Sequence, residues 1–131
     1  MISIKSAKVT LYFFLLGLPL HAQTDIHNEI KTAIKIGSAK ELAVFFKDGI
    51  EITILDQKNV YKKSDAEIAI KKFFNMYPVT DFVVIHQGTS KEGLKYMIGH
   101  YKHAKGIFQT VIFLKIRSGE YVIDTLQFNE D

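Results

Sequence analysis

The sequence predicts an α+β fold, with helices packed on one face of a curved antiparallel sheet. Three observations lead there. Helical spacing of apolar residues is confined to the stretches before Pro78. From Val79 onward the pattern is strand and turn only. The stretch Gly106 to Phe128, GIFQTVIFLKIRSGEYVIDTLQF, places two runs of β-branched and aromatic residues around Ser118-Gly119, a two-residue hairpin turn. Helices segregated from a meander define this class.

The elements follow in order. Thr24 or Asp25 caps a first helix, whose apolar stripe is Ile26, Ile30, Ala33 and Ile34. Gly37 ends it. Ser38-Ala39-Lys40-Glu41 reads as a capping box, opening a short second helix that carries Leu42, Phe45 and Phe46. Ile50 to Ile54 alternates strictly, as a strand with one buried face does. Asp56 to Asn59 turns the chain into a short partner strand at Val60-Tyr61. Ser64-Asp65-Ala66-Glu67 is a second capping box. The helix it opens carries Ile68, Ala69, Phe73 and Met76 and stops before Pro78. Strands at Asp81 to Thr89 and Leu94 to Tyr101 flank the loop Ser90 to Gly93. The opening hairpin completes a four-strand meander.

With Ser118-Gly119 as the turn, Arg117 faces Glu120, Ile116 faces Tyr121 and Leu114 faces Ile123. Alternation would next bring in Thr125, yet the large apolar residues are Leu126 and Phe128. A β-bulge near Asp124 or Thr125 restores them to the core side. The predicted core face holds Phe108, Ile112, Leu114, Ile116, Tyr121, Ile123, Leu126 and Phe128. The opposite face carries Ile107, Val111, Phe113 and Val122, with Met97 and Tyr101 assigned there from the preceding strand. A sheet apolar on both faces buries both. The helices cover one, and a second copy covering the other predicts a homodimer.

The 131 residues amount to one domain, with 47% hydrophobic and 24% charged residues. Met1 to Ala22 has the plan of a secretory signal peptide. Lys5 and Lys8 begin it, Val9 to Leu18 is apolar, Pro19 breaks the run, and a small residue follows at Ala22. The expectation is a signal at residues 1–22, a single domain at residues 23–131, periplasmic or secreted location, and no membrane span after cleavage. Loss of Lys5 and Lys8 leaves fifteen basic residues against fourteen acidic ones. The calculated pI of 9.0 then reflects no concentrated basic patch, and a nucleic-acid partner is not expected. With no cysteine in the chain, zinc–thiolate sites, iron–sulfur clusters and cysteine nucleophiles are excluded.

Two N-terminal helices, a strand ending in Ile54-Leu55-Asp56, a third helix and the closing strand Gly119 to Phe128 with its phase slip resemble the nuclear transport factor 2-like fold, also called the cystatin-like cone. More narrowly, the exported N-terminus and Ile85-His86-Gln87-Gly88 resemble a domain-of-unknown-function family of small exported bacterial proteins. The fold implies a sheet wrapped round its helices, with a pocket at the open end. Its relatives include isomerases, dehydratases, binding modules and dimerisation modules.

Candidate site residues are few. If even-numbered residues of the third and fourth long strands face the helices, His86, Tyr96 and His100 line the concave side as a ligand-binding set. Asp124 interrupts an apolar strand; it is expected on the exposed side or satisfying the bulge backbone, the alternative being that the bulge aims it inward as a base. Phe45, Phe46, Phe73, Phe74, Tyr77 and Tyr96 either line an apolar pocket or fill a core that lacks Trp and Cys. No phosphate loop, nucleophile elbow or metal-ligand spacing occurs, and no cofactor or metal is expected. The resulting reading is a non-enzymatic module that binds a small apolar ligand or assembles as a homodimer through the outer sheet face. The alternative is an isomerase- or dehydratase-type enzyme, with His86 or Asp124 as base and Tyr96 as hydrogen-bond donor.

Overall fold

The computed structural model describes residues 25–131; the expected signal peptide lies outside the described residues. Helix α1 (Ile26–Lys35) and the five-residue α2 (Ala39–Ala43) lead into strand β1 (Phe46–Ile54). Strand β2 (Gln57–Tyr61) and helix α3 (Lys63–Met76) follow. The meander is β3 (Val79–Thr89), β4 (Lys95–His103), β5 (Gly106–Arg117) and β6 (Glu120–Glu130). The six strands form one sheet in the order β2-β1-β6-β5-β4-β3, with β1 parallel to β6 and every other pair antiparallel. The α+β class therefore holds, and the strand expected at Ile50 to Ile54 extends back to Phe46. Among the described residues, no helix is long and apolar enough to cross a membrane.

The helix starts show two kinds of capping. The Asp25 carboxylate accepts from His27 N–H at 3.2 Å, and the Ser38 hydroxyl accepts from Glu41 N–H at 3.1 Å. The Ser64 box does not form. Helix α3 starts two residues earlier, and Lys62, at its cap position, makes no side-chain cap bond. Asp48 supplies the acceptor from the β1 segment instead, taking the Lys63 N–H at 3.0 Å. A tertiary cap thus satisfies one of the free N–H groups at the helix start.

One face of the sheet carries the helices, and the core lies between. Buried there are Ile30, Ala33, Ile34 and Leu42 from α1 and α2, and Ala66, Ile70, Phe73 and Phe74 from α3. The sheet adds Ile50, Ile52, Phe82, Phe108, Ile112, Leu114, Ile123, Leu126 and Phe128. The α3 stripe is rotated from expectation: Ile68 and Met76 are 55% and 72% exposed. Packing on the sheet selects residues 66, 70, 73 and 74, which share one side of the helix.

The hairpin register is as predicted: Arg117 pairs with Glu120, Ile116 with Tyr121 and Leu114 with Ile123. Phe113 pairs with Thr125, so Asp124 is the extra residue of a β-bulge. Ser118 and Gly119 both have positive φ, +52° and +81°, the signature of a type I′ turn. Two of the eight predicted core residues are corrected. Ile116 is exposed and Tyr121 half-buried, because the hairpin tip runs past the packed layer.

Parity in β4 is the opposite of that expected. Met97, Gly99 and Tyr101 face the helices, and Tyr96, Ile98, His100 and Lys102 face outward. Gly99 explains the local fit. Any side chain there would place its Cβ 2.7 Å from the Phe82 ring and 2.9 Å from the Val83 carbonyl oxygen. The neighbouring strand cannot retreat from such a contact. Gly99→Ala is therefore expected to destabilise the fold by about 1–3 kcal/mol, read from the urea midpoint, as overpacking commonly does.

Candidate functional site

The interior of the cone is a packed aromatic cluster. Phe73 lies 4.3 Å from Phe128 in a stacked pair, and its centroid is within 6.1 Å of those of Phe74, Tyr77, Tyr101 and Phe108. The Tyr101 hydroxyl donates to the Tyr77 carbonyl, and burial pushes its pKa well above the ordinary tyrosine value. Of the six aromatics expected to line a pocket or fill a core, Phe46, Phe73 and Phe74 are buried in the core, and Phe45 and Tyr77 pack partly buried against it.

The predicted set His86, Tyr96 and His100 lies on the other side of the sheet. Residues directly opposite in an antiparallel pair share a face. His86 pairs with Ile98, His100 with Val83 and Gln109, and Tyr96 with Phe113, all on the face away from the helices. The expected concave placement is therefore corrected. The reason is the β4 parity, together with two bulges in β3 that leave Thr80 and Ile85 unpaired. His86 and Tyr96 do meet: Nε2 and the hydroxyl are 2.6 Å apart. The hydroxyl donates when Nε2 is bare and accepts when Nε2 carries the proton. Tyr96 reaches across because Gly88 stands opposite; a Cβ there would sit 2.7 Å from the Tyr96 oxygen. Among the described hydrogen bonds, none joins His86 to His100.

Asp124 points away from the core, into a pair of lysines. Its carboxylate takes a 2.8 Å hydrogen bond from Lys47 and lies 3.4 Å from the Lys115 ammonium; the Thr125 hydroxyl donates at 3.2 Å. Partial burial opposes ionisation, but the Lys47 hydrogen bond and both positive charges outweigh it and hold the carboxyl below its usual range. A lowered carboxylate pKa stabilises the fold above the unfolded value of about 3.9, and that contribution is lost as pH falls through the folded value. Asp124→Asn is thus expected to lower urea stability at pH 7, and the gap from wild type is expected to narrow as pH falls below about 4. An unchanged gap would show that ion pairing is not what Asp124 contributes.

The outer face carries an apolar group in the middle of β3 to β5, bordered by His86, His100 and Gln109. Ile98 pairs with Val111, and Val83 and Phe113 flank them. Val83 and Phe113 are exposed at 36% and 43%. Toward β6 and β1 the same face becomes polar with Thr125, Gln127, Asn129, Glu51 and Thr53.

A further feature was not legible in the residues. Beside α3 lies an apolar cleft of about 410 Å³, lined by Ile54, Leu55, Ile68, Phe73, Met76 and Tyr77, with Tyr61, Asp65, Ala69 and Lys72. Leu55 has φ +57°, a left-handed conformation that is an outlier for a bulky residue and costs about 1–3 kcal/mol. Its N–H is fixed by a 2.8 Å bond to the Phe128 carbonyl. The sequence signal was the Ile54-Leu55-Asp56 strand end, read only as a mark of the fold. No cluster of three or more His, Asp or Glu suited to a metal occurs among the described residues.

A six-strand sheet carrying three helices on one face, with β1 docked in parallel on the last strand, defines the nuclear transport factor 2-like class. Within it, the chain belongs to the DUF4783 family, described as a domain of unknown function, whose profile matches residues 27–129. A DUF4783 family protein from Bacteroides ovatus is 28% identical, superposes with a TM-score of 0.75, and covers 79% of this chain and 93% of its own. A DUF4783 family protein from Bacteroides uniformis is 25% identical with a TM-score of 0.77, covering 82% and 98%. An NTF2-like protein of unknown function from Pseudomonas putida shares the fold at 10% identity, TM-score 0.63, covering 81% and 82%. No curated protein matches the chain.

Proposed function

We propose that the protein is an exported, non-enzymatic assembly module that works as a homodimer through its outer sheet face. The contrast between the two faces carries this reading. On the helix side the Phe73 cluster packs the space between α3 and the sheet and is covered by its own chain. The outer side presents Val83, Ile98, Val111 and Phe113 as one patch with no cover from its own chain. Such a patch marks an interaction surface.

The sheet edges support association by face rather than by edge. Strand β3 is interrupted by two bulges, and β2 is five residues long and carries Lys58. Both devices discourage edge-to-edge pairing. Export rests on the signal-like plan of Met1 to Ala22.

Native mass spectrometry of the protein secreted from a bacterial host with its own N-terminus tests both parts. The expected species is a dimer of chains beginning at Gln23. A monomer at micromolar concentration would overturn the assembly reading, and an uncleaved chain would overturn export.

One observation favours the enzymatic alternative, the 2.6 Å contact between His86 and Tyr96 on an accessible face. In that alternative Asp124 is a poor base, since two lysines already hold its carboxylate.

A further inference from the structure

We infer that the cleft beside α3 is a binding site for an anionic amphiphile, a medium-length hydrocarbon chain ending in a carboxylate. This goes beyond the assembly reading and is independent of it, because the cleft lies on the helix side.

The lining has the composition of a small-molecule site. Its volume of about 410 Å³ falls in the usual range for such sites, roughly 300–1,000 Å³. Ile54, Leu55 and Phe73 belong to the core or pack against it, so one wall is fixed. Ile68 and Met76 leave most of their surface to solvent although the rest of α3 had apolar positions to spare for the core. They stand at i−4 and i+4 of Lys72, and these three side chains therefore lie along one line of the helix.

Charge selects the class of ligand. Lys72 makes no ion pair or hydrogen bond among the described residues. Lys72 lines the cleft, and its position on α3 falls between those of two exposed apolar residues, the arrangement that a carboxylate head with a flanking hydrocarbon tail complements. The one acidic group in the lining, Asp65, lies seven residues earlier, roughly 10 Å along the helix axis. It disfavours an anion only at that end and so sets the tail toward Met76 or over Leu55. Tyr61 and Tyr77 bring further hydroxyls to the lining. Leu55, held in its left-handed conformation by the Phe128 carbonyl, keeps an apolar side chain in the lining where a turn would ordinarily carry Gly or Asn.

Isothermal titration calorimetry of the full mature protein with decanoate, decanol and decyltrimethylammonium tests the assignment. Each probe is kept below its aggregation concentration. Decanoate is expected to bind once per chain, and Lys72→Met, which retains the apolar stem, to weaken it at least tenfold. Ile68→Asp is expected to weaken it as much, with circular dichroism confirming that both variants fold. Three results would overturn the proposal: no saturable decanoate binding, equal affinity for decyltrimethylammonium, or a Lys72→Met variant that binds decanoate unchanged. Native mass spectrometry on the same samples reads the subunit count separately, so loss of the dimer and loss of the ligand are distinguishable.

Discussion

Phe73→Ala is expected to lower unfolding free energy by about 3–5 kcal/mol, the range for truncating a buried aromatic. Phe73 is 3% exposed and meets five other rings, stacking on Phe128 at 4.3 Å. Its removal opens a cavity between α3 and the sheet that the stiff strands cannot collapse to fill. Since single domains are stable by about 5–15 kcal/mol, the variant should be marginal at 25 °C. Urea unfolding followed by far-ultraviolet circular dichroism measures this in a chain without Trp. A loss below about 1 kcal/mol would mean that the ring cluster repacks freely, contrary to the density expected of a protein core.

Phe113→Asp is expected to abolish dimerisation at micromolar concentration while leaving the fold intact. The side chain is 43% exposed on the outer face, opposite Tyr96 and Thr125, so the monomer has little to lose. In a closed interface, however, the carboxylate would be buried without a partner. A hundredfold weakening corresponds to about 2.7 kcal/mol, within the usual cost of a central interface residue. Light scattering after size exclusion reads the mass, and urea unfolding of the variant should match the wild-type monomer within about 0.5 kcal/mol. A variant that remains dimeric would move the interface off this face.

The parts of the fold legible in the sequence are those fixed by local chemistry. Ser118-Gly119 set the last hairpin's register, and the phase slip from Ile123 to Leu126 narrowed the bulge to Asp124 or Thr125, of which Asp124 is the extra residue. The Ser38 cap was legible for the same reason. What failed depended on distant partners. The parity of β4 had no tight turn to anchor it. The large residues Met97 and Tyr101, in phase with each other and with small Gly99, were the signal for the buried side. Bulges at Thr80 and Ile85 then shifted His86 relative to the start of its own strand. The α3 cap came from Asp48, fifteen residues away, which no local motif encodes. Asp124 was identified as unusual and read as facing the exposed side, with an inward aim as the alternative; its partner Lys47 lies 77 residues earlier, so the ion pair itself was not legible. The parallel pairing of β1 with β6 left no mark in either strand, because such a pairing is specified only when both are present.

That pairing also decides the order in which the molecule can be made. The strand completed last in the chain occupies an interior place in the sheet, and without residues 120–130 the β1–β2 hairpin has no bond to the meander. Until β6 is in place no strand pairing joins the β1–β2 hairpin to the meander, and β1 and β5 each keep an open edge. Joining the two parts needs contacts that span most of the domain, the circumstance that slows folding and lengthens exposure of sticky surface.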